Sequence, residues 1–176
     1  MAEKKKQYKK SKVATVNKKQ GRLWVSCILF IVVCLAIEII GGYWTKERVT
    51  SWYPTLIKPS WTPADWVFGP VWSCLYVMIA VSGWLIYKAE GSRKKDIALM
   101  LYASQLGLNF IWTFLFFSLK SPILGLIDIA LLCVLISLTI IYSWHVQRLA
   151  SFLLMPYLIW VVYATTLNVG IVFLNR

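Results

Sequence analysis

Three stretches of this chain, residues 66–87, 97–119 and 149–175, contain no Asp, Glu, Lys or Arg. About 20 apolar residues are needed for a helix to cross a bilayer core, so each is long enough to span. Two further runs, 23–45 and 121–143, carry one acid each, Glu38 and Asp128. A transmembrane barrel would alternate apolar and polar residues over about 10-residue segments, and these runs do not alternate. The fold class this implies is all-α: an integral membrane protein, a bundle of five transmembrane helices. Composition agrees. The 176 residues are 59% hydrophobic and only 15% charged, against roughly 25% charged in a soluble domain.

The first apolar run follows a long basic segment, but it lacks a small-x-small cleavage site and reads as a membrane helix rather than a signal peptide. Residues 1–22 hold nine Lys/Arg and are expected to be a disordered cytoplasmic tail, with a single membrane domain over 23–176. Five spans put the termini on opposite sides. The N-terminal side then collects fourteen basic residues and the other side five. By the positive-inside rule the N-terminus is cytoplasmic and the loop at 44–65 lies on the opposite face. The tail lacks interleaved aromatics and a folded scaffold, so no nucleic-acid partner is expected. The expected partners are the lipid bilayer and a small apolar molecule.

Between the first two spans the chain reads Trp52, Tyr53, Pro54, Lys58, Pro59, Trp61, Pro63, Trp66, Gly69, Pro70, Trp72, Tyr76. Proline fixes φ and restricts the residue before it, so this is a stiffened loop feeding a helix. Rigid aromatics at the mouth of a bundle suit stacking on a flat apolar ligand. Further polar residues lie in stripes. The third run carries Gln105, Asn109 and Thr113 at i, i+4, i+8, with Trp112 beside them; the fifth carries Tyr157, Trp160, Ala164 and Asn168 on one face. Such stripes either line a shared pocket or hold the helices together by hydrogen bonds. Glu38 and Asp128, acids at membrane depth, are candidates for function or for helix pairing. Ala103 and Gly107 form a small-xxx-small pair that permits close helix approach, within the bundle or between protomers.

The four cysteines lie inside membrane runs without metal or disulfide spacing and read as packing residues. One histidine, His145, sits in a short loop, and no metal-binding or Ser-His-Asp cluster can be assembled around it. No P-loop or GxGxxG occurs. No metal and no cofactor are expected, and hydrolytic, phosphoryl-transfer and nicotinamide chemistry are unsupported.

Three blocks resemble the TspO/MBR family, the translocator proteins once called peripheral benzodiazepine receptors. They are Trp52-Tyr53…Lys58-Pro59-Ser60-Trp61-Thr62-Pro63…Trp66-Val67-Phe68-Gly69-Pro70-Val71-Trp72…Leu75-Tyr76; Gln105-Leu106-Gly107-Leu108-Asn109…Trp112-Thr113…Phe116-Phe117; and Pro156-Tyr157-Leu158…Trp160…Ala164-Thr165…Leu167-Asn168. The resemblance implies a five-helix bundle, commonly dimeric, with a pocket open toward the first loop. It implies binding of porphyrins and other tetrapyrroles. In animal members it also implies binding of cholesterol and synthetic drugs. Trp72, Asn109, Trp112, Trp160 and Ala164 stand where the family's pocket residues stand, and Trp61, Tyr76, Gln105, Tyr157 and Asn168 join them as binding candidates. Ala103 and Gly107 match the family's dimer motif, which makes a homodimer the expected state. Some bacterial members are reported to degrade protoporphyrin in light, which makes Trp72 and Trp160 the catalytic candidates if this chain is an enzyme.

The chain also departs from the family. The usual Trp-x-Pro-Pro-x-Trp reads Trp61-Thr62-Pro63-Ala64-Asp65-Trp66, the animal sterol motif meets Val169 and Phe173, and a frequent tryptophan is Leu124. The leading expectation is a binding protein, with transport as an extension, in which Lys58 or Lys46 at the mouth pairs with the carboxylates of a porphyrin. The alternatives are a light-dependent porphyrin-degrading enzyme and a lipid- or stress-sensing scaffold.

Overall fold

The computed structural model describes the backbone of residues 2–176 and the side chains from residue 23 onward. The tail expected at 1–22 therefore has its side chains outside the described residues. Five helices carry the fold: α1 (Ala2–Ser51), α2 (Phe68–Lys88), α3 (Arg93–Thr113), α4 (Pro122–Trp144) and α5 (Arg148–Leu174). Each contains a segment long and apolar enough to span a bilayer; in α1 it is Leu23–Ser51. With no water in the hydrocarbon to satisfy backbone groups, helices keep every such bond internal, and the described residues contain no strand.

Local chemistry sets the helix ends. Ser92 and Ser121 cap α3 and α4, their hydroxyls accepting from the backbone N–H of Lys95 (3.2 Å) and Leu124 (3.3 Å), and Pro122 occupies the first turn of α4. Between α3 and α4 the chain makes a π-helical turn, Phe114–Ser118. Two residues beyond it stands Lys120, whose φ of 50° is left-handed. The Ser121 N–H reaches back to the Leu115 carbonyl (3.3 Å), satisfying a carbonyl at the helix end.

The helices close into a ring: α3 packs on α4, α4 on α5, α5 on α2, α2 on α1, and α1 returns to the end of α3. The core runs down the middle through Tyr76, Ile79, Leu106, Leu132, Ile136, Leu154, Tyr157 and Val161. Only Cys34 and Gly41 of α1 are buried among its described residues. Trp24, Ile28, Leu29, Val32 and Ile39 face outward, as apolar side chains do toward lipid. At one end Lys88 lies over Trp84 (4.0 Å) and Arg148 over Trp144 (5.6 Å), an arrangement of amphipathic rings and bases suited to the headgroup level. The protein is an integral, multi-pass membrane protein of five helices.

Ala103 and Gly107 lie on an exposed face of α3, and a Cβ at Gly107 would meet nothing within 4 Å. Their approach partner is therefore not inside this bundle. The four cysteines are free; Cys34 Sγ lies 3.6 Å from the Tyr102 hydroxyl and Cys133 Sγ 3.6 Å from Thr165 Oγ1, consistent with packing. No metal-holding cluster exists among the described residues.

Candidate functional site

At the end of the bundle facing the loop between α1 and α2, the ring opens around a cavity of about 580 Å³. Small-molecule sites fall at roughly 300–1,000 Å³. Every helix contributes a wall. Trp72 and Tyr76 come from α2, Asn109, Trp112 and Thr113 from α3, Ile129 and Leu132 from α4, and Trp160, Val161, Ala164, Leu167 and Asn168 from α5.

The fifth side of the cavity is α1, through Glu38, Gly41, Gly42, Thr45 and Val49. Helical spacing puts Glu38, Gly42, Thr45 and Val49 on one stripe. Gly41 rests on Thr113, where an added Cβ would lie 3.6 Å from Oγ1, and Glu38 accepts a 2.5 Å hydrogen bond from the Ser73 hydroxyl of α2. These contacts seat α1 on both neighbours.

The floor is a hydrogen-bonded chain across three helices. Tyr76 donates to Asn109 Oδ1 (2.6 Å), and Asn109 Nδ2 donates to the Tyr157 hydroxyl (3.0 Å). Tyr157 is completely buried and sits behind the lining rather than in it. Gln105, one turn below Asn109, is also completely buried, and neither end of its amide finds a partner among the described residues. Asp128 is buried on α4 with one oxygen unpartnered. Asn168 lines the cavity and donates to the Pro122 carbonyl (2.8 Å), tying α5 to the start of α4.

The upper walls are aromatic. Trp112 stacks on Phe116 (5.0 Å, 18°), and Phe117 meets both edge-on. The π-helical turn makes this cluster, because its wider winding brings the adjacent Phe116 and Phe117 both to the cavity; π-turns occur often at functional sites. On the other side Phe68 packs on Trp160 (5.8 Å), and Trp72 on Tyr76 (5.6 Å). The indole N–H groups of Trp112 and Trp160 are buried without a partner.

The loop is pinned over this opening. Asn175 exchanges two hydrogen bonds with the backbone of Ile57 (2.9 Å each). Tyr163 donates to the Trp61 carbonyl (2.7 Å). Pro59 presses on Gly170, where a Cβ could not be accommodated without movement. Trp61 thereby faces a shallow outer groove with Val169 and Phe173, not the cavity.

Of the loop residues, Tyr53 and Asp65 do line the cavity. Lys58 lies over the Tyr53 ring at 4.2 Å and borders the outer groove; no Lys or Arg lines the cavity among the described residues. Burial, and then the negative charge of Asp65, push the Tyr53 phenol up to about 12. A phenol ionising later in the folded protein than its ordinary value of about 10 favours folding below pH 10, and this contribution is lost as pH rises from about 10 to 12. The thermal midpoint of Tyr53→Phe is therefore expected to fall less steeply across that interval than that of the wild type, and equal slopes would refute the placement.

Trp72, Tyr76, Asn109, Trp112, Trp160, Ala164 and Asn168 thus converge on one cavity, Gln105 and Tyr157 support it from behind, and Trp61 lies outside it. Sequence reasoning had Glu38 as a candidate without a place, and passed over Phe68 and the rest of the α1 stripe as lining residues.

Comparison with known proteins agrees with this architecture. The TspO/MBR family model matches residues 30–174. A tryptophan-rich protein TspO of Archaeoglobus fulgidus is 40% identical, covering 82% of this chain and 94% of its own length. The human translocator protein is 35% identical over 82% of this chain and 87% of its own. A tryptophan-rich sensory protein of Cereibacter sphaeroides is 32% identical over 86% of this chain and 92% of its own. With the family's span covering all five helices and the cavity between them, this chain belongs to the TspO/MBR family.

Proposed function

We propose that the protein is a membrane receptor for flat apolar ligands of the tetrapyrrole class, with translocation as an extension of binding. One observation carries the reading: a cavity of porphyrin-compatible size whose walls are the faces and edges of Trp72, Trp112, Trp160, Phe68 and Phe116, with few polar groups. Stacking on such walls contributes beyond simple area burial. The relatives named tryptophan-rich and translocator proteins support the same reading. The basic excess at 1–22 favours a cytoplasmic N-terminus, and the exposed Ala103/Gly107 face suits a homodimer.

The test is protoporphyrin IX titration of the detergent-purified protein, read by tryptophan fluorescence in the dark. Saturable quenching is expected. Trp160→Ala should weaken it by about 2 kcal/mol, roughly 30-fold, as truncation of a central aromatic anchor does. Absence of saturable quenching would overturn the proposal.

A second reading, light-driven porphyrin oxidation by oxygen with an indole taking part, is favoured by Trp72 and Trp160 lining the same space. It requires a new absorbing product under light that disappears in the Trp72→Phe/Trp160→Phe double variant.

A further inference from the structure

The charged groups around the cavity are all of one sign. Glu38 enters its wall from α1 and Asp65 from the loop, while no Lys or Arg lines it among the described residues. The nearest candidate base by sequence, Lys58, is turned onto the outer side of Tyr53, and Arg48 pairs with Glu47 at 3.7 Å. The Ser73 hydroxyl fixes one Glu38 oxygen and leaves the other available. The remaining walls are aromatic faces, which carry negative quadrupole charge and attract cations within about 6 Å. Asn168 takes no part in this charge pattern: its amide is packed against the start of α4, donating to the Pro122 carbonyl with its oxygen turned toward Gly125.

Carboxylates and π-faces together are the groups that an organic-cation site uses. A dicarboxylate would meet two like charges, Glu38 in the wall and Asp65 at the exposed mouth. The chain as a whole carries a net charge of +12, concentrated in residues 1–22, so the overall field and the local site oppose each other.

We infer that the cavity selects by charge, taking flat aromatic ligands that bear a protonated amine, or none, in preference to free carboxylates, with Glu38 as the counter-ion. This deepens the proposed function and rests on it only for the shape of the ligand. A tetrapyrrole would then be held with its carboxylates outside the lining or masked.

The experiment uses one ring system in three charge states: protoporphyrin IX, its dimethyl ester, and its bis(aminoethyl) amide. These are a dianion, a neutral compound and a dication. Each is titrated into the full chain in a non-ionic detergent at physiological ionic strength, where the Debye length of about 8 Å suppresses the field of the basic tail. The expected order is dication tightest and dianion weakest, with about 10-fold or more between them. Glu38→Gln, whose amide oxygen still accepts from Ser73, should cut that ratio to about 3-fold or less, and Asp65→Asn, at an exposed position, should lower it by a smaller factor.

A dianion that binds tightest, or a ratio unmoved by both substitutions, overturns the inference. If none of the three quenches, the tetrapyrrole reading fails instead, and charge selection is decided with 9-aminoacridine against acridine-9-carboxylate. Preferential retention of the amine sustains the inference; equal retention, or retention of neither, removes it.

Discussion

Replacing Gly83 by leucine is expected to destabilise the bundle by about 3 kcal/mol or more. Gly83 lies on α2 where it meets α3 and α1. The first atom of any side chain there would collide with the Tyr102 ring and hydroxyl and with the edge of Phe30. Tyr102 is buried. Its hydroxyl donates to the Ile79 carbonyl (3.1 Å) and touches Cys34 Sγ (3.6 Å), and its ring meets Phe30 edge-on at 5.9 Å. It therefore cannot swing aside without surrendering these contacts.

Overpacking costs about 1–3 kcal/mol, and a buried hydroxyl cut from its acceptor costs a further 1–3. The expected result is a lowered midpoint in denaturant-titrated micelles. Part of the loss should return in Gly83→Leu/Tyr102→Ala, where the obstacle is gone, and the coupling energy of the double-mutant cycle measures it. Gly107→Ala is the control. Its site is open within the protomer and alanine is the better helix former, so in micelles dilute enough to hold single protomers it should be neutral or slightly stabilising. A Gly83→Leu protein as stable as the wild type, or a cycle with no coupling, would mean that α2 and α3 do not approach as described.

Most of the fold was legible because membrane helices announce themselves in one dimension. The five apolar runs correspond to the five spans, since the bilayer fixes both length and composition. Their ends were not legible by hydropathy. α3 begins at Arg93 and carries Lys94, Lys95 and Asp96 in its first turn, because the Ser92 cap rather than apolarity decides where that helix starts. The π-helical turn had no signal of its own. Phe116 and Phe117 look like consecutive residues on different faces until the local winding changes.

The stripes told which faces point inward but not at which depth. Asn109 and Gln105 share a face, yet one lines the cavity and the other is packed beneath it, a difference of one helical turn that depends on where the facing helices converge. Trp61 belongs to the densest aromatic run in the sequence and still faces away, because Tyr163 and Asn175 pin the loop backbone in a register that only α5 could specify. The contribution of α1 was the least legible. Its cavity-facing residues include Gly41, Gly42 and Thr45, whose value lies in leaving room.

Ala164→Phe is expected to abolish most ligand binding while leaving the fold intact. Ala164 sits on α5 one turn from Trp160 and one turn from Asn168, with all three lining the cavity. Its methyl group leaves the space between the Trp160 indole and the Asn109–Tyr76 floor open. A phenyl ring there adds six carbons to a wall already aromatic, so it is chemically at home. It needs no new hydrogen bond, and filling apolar space commonly stabilises by about 0.5–2 kcal/mol. The thermal midpoint should hold or rise.

For a ligand, each excluded heavy atom forfeits about 0.3 kcal/mol, so six cost about 2 kcal/mol, roughly 30-fold. That figure is a floor for a rigid macrocycle. A flexible chain can withdraw six atoms and keep the rest, but a planar ring must withdraw as a unit and lose its stacking on Trp72 and Trp112 together. The comparison of Ala164→Phe with Trp160→Ala therefore separates two explanations of any quenching observed. If the ligand lies in the cavity, both variants lose it, one by obstruction and the other by loss of a wall. If it lies instead along the outer groove of Trp61, Val169 and Phe173, Ala164→Phe binds as the wild type does and only substitutions at Trp61 weaken it.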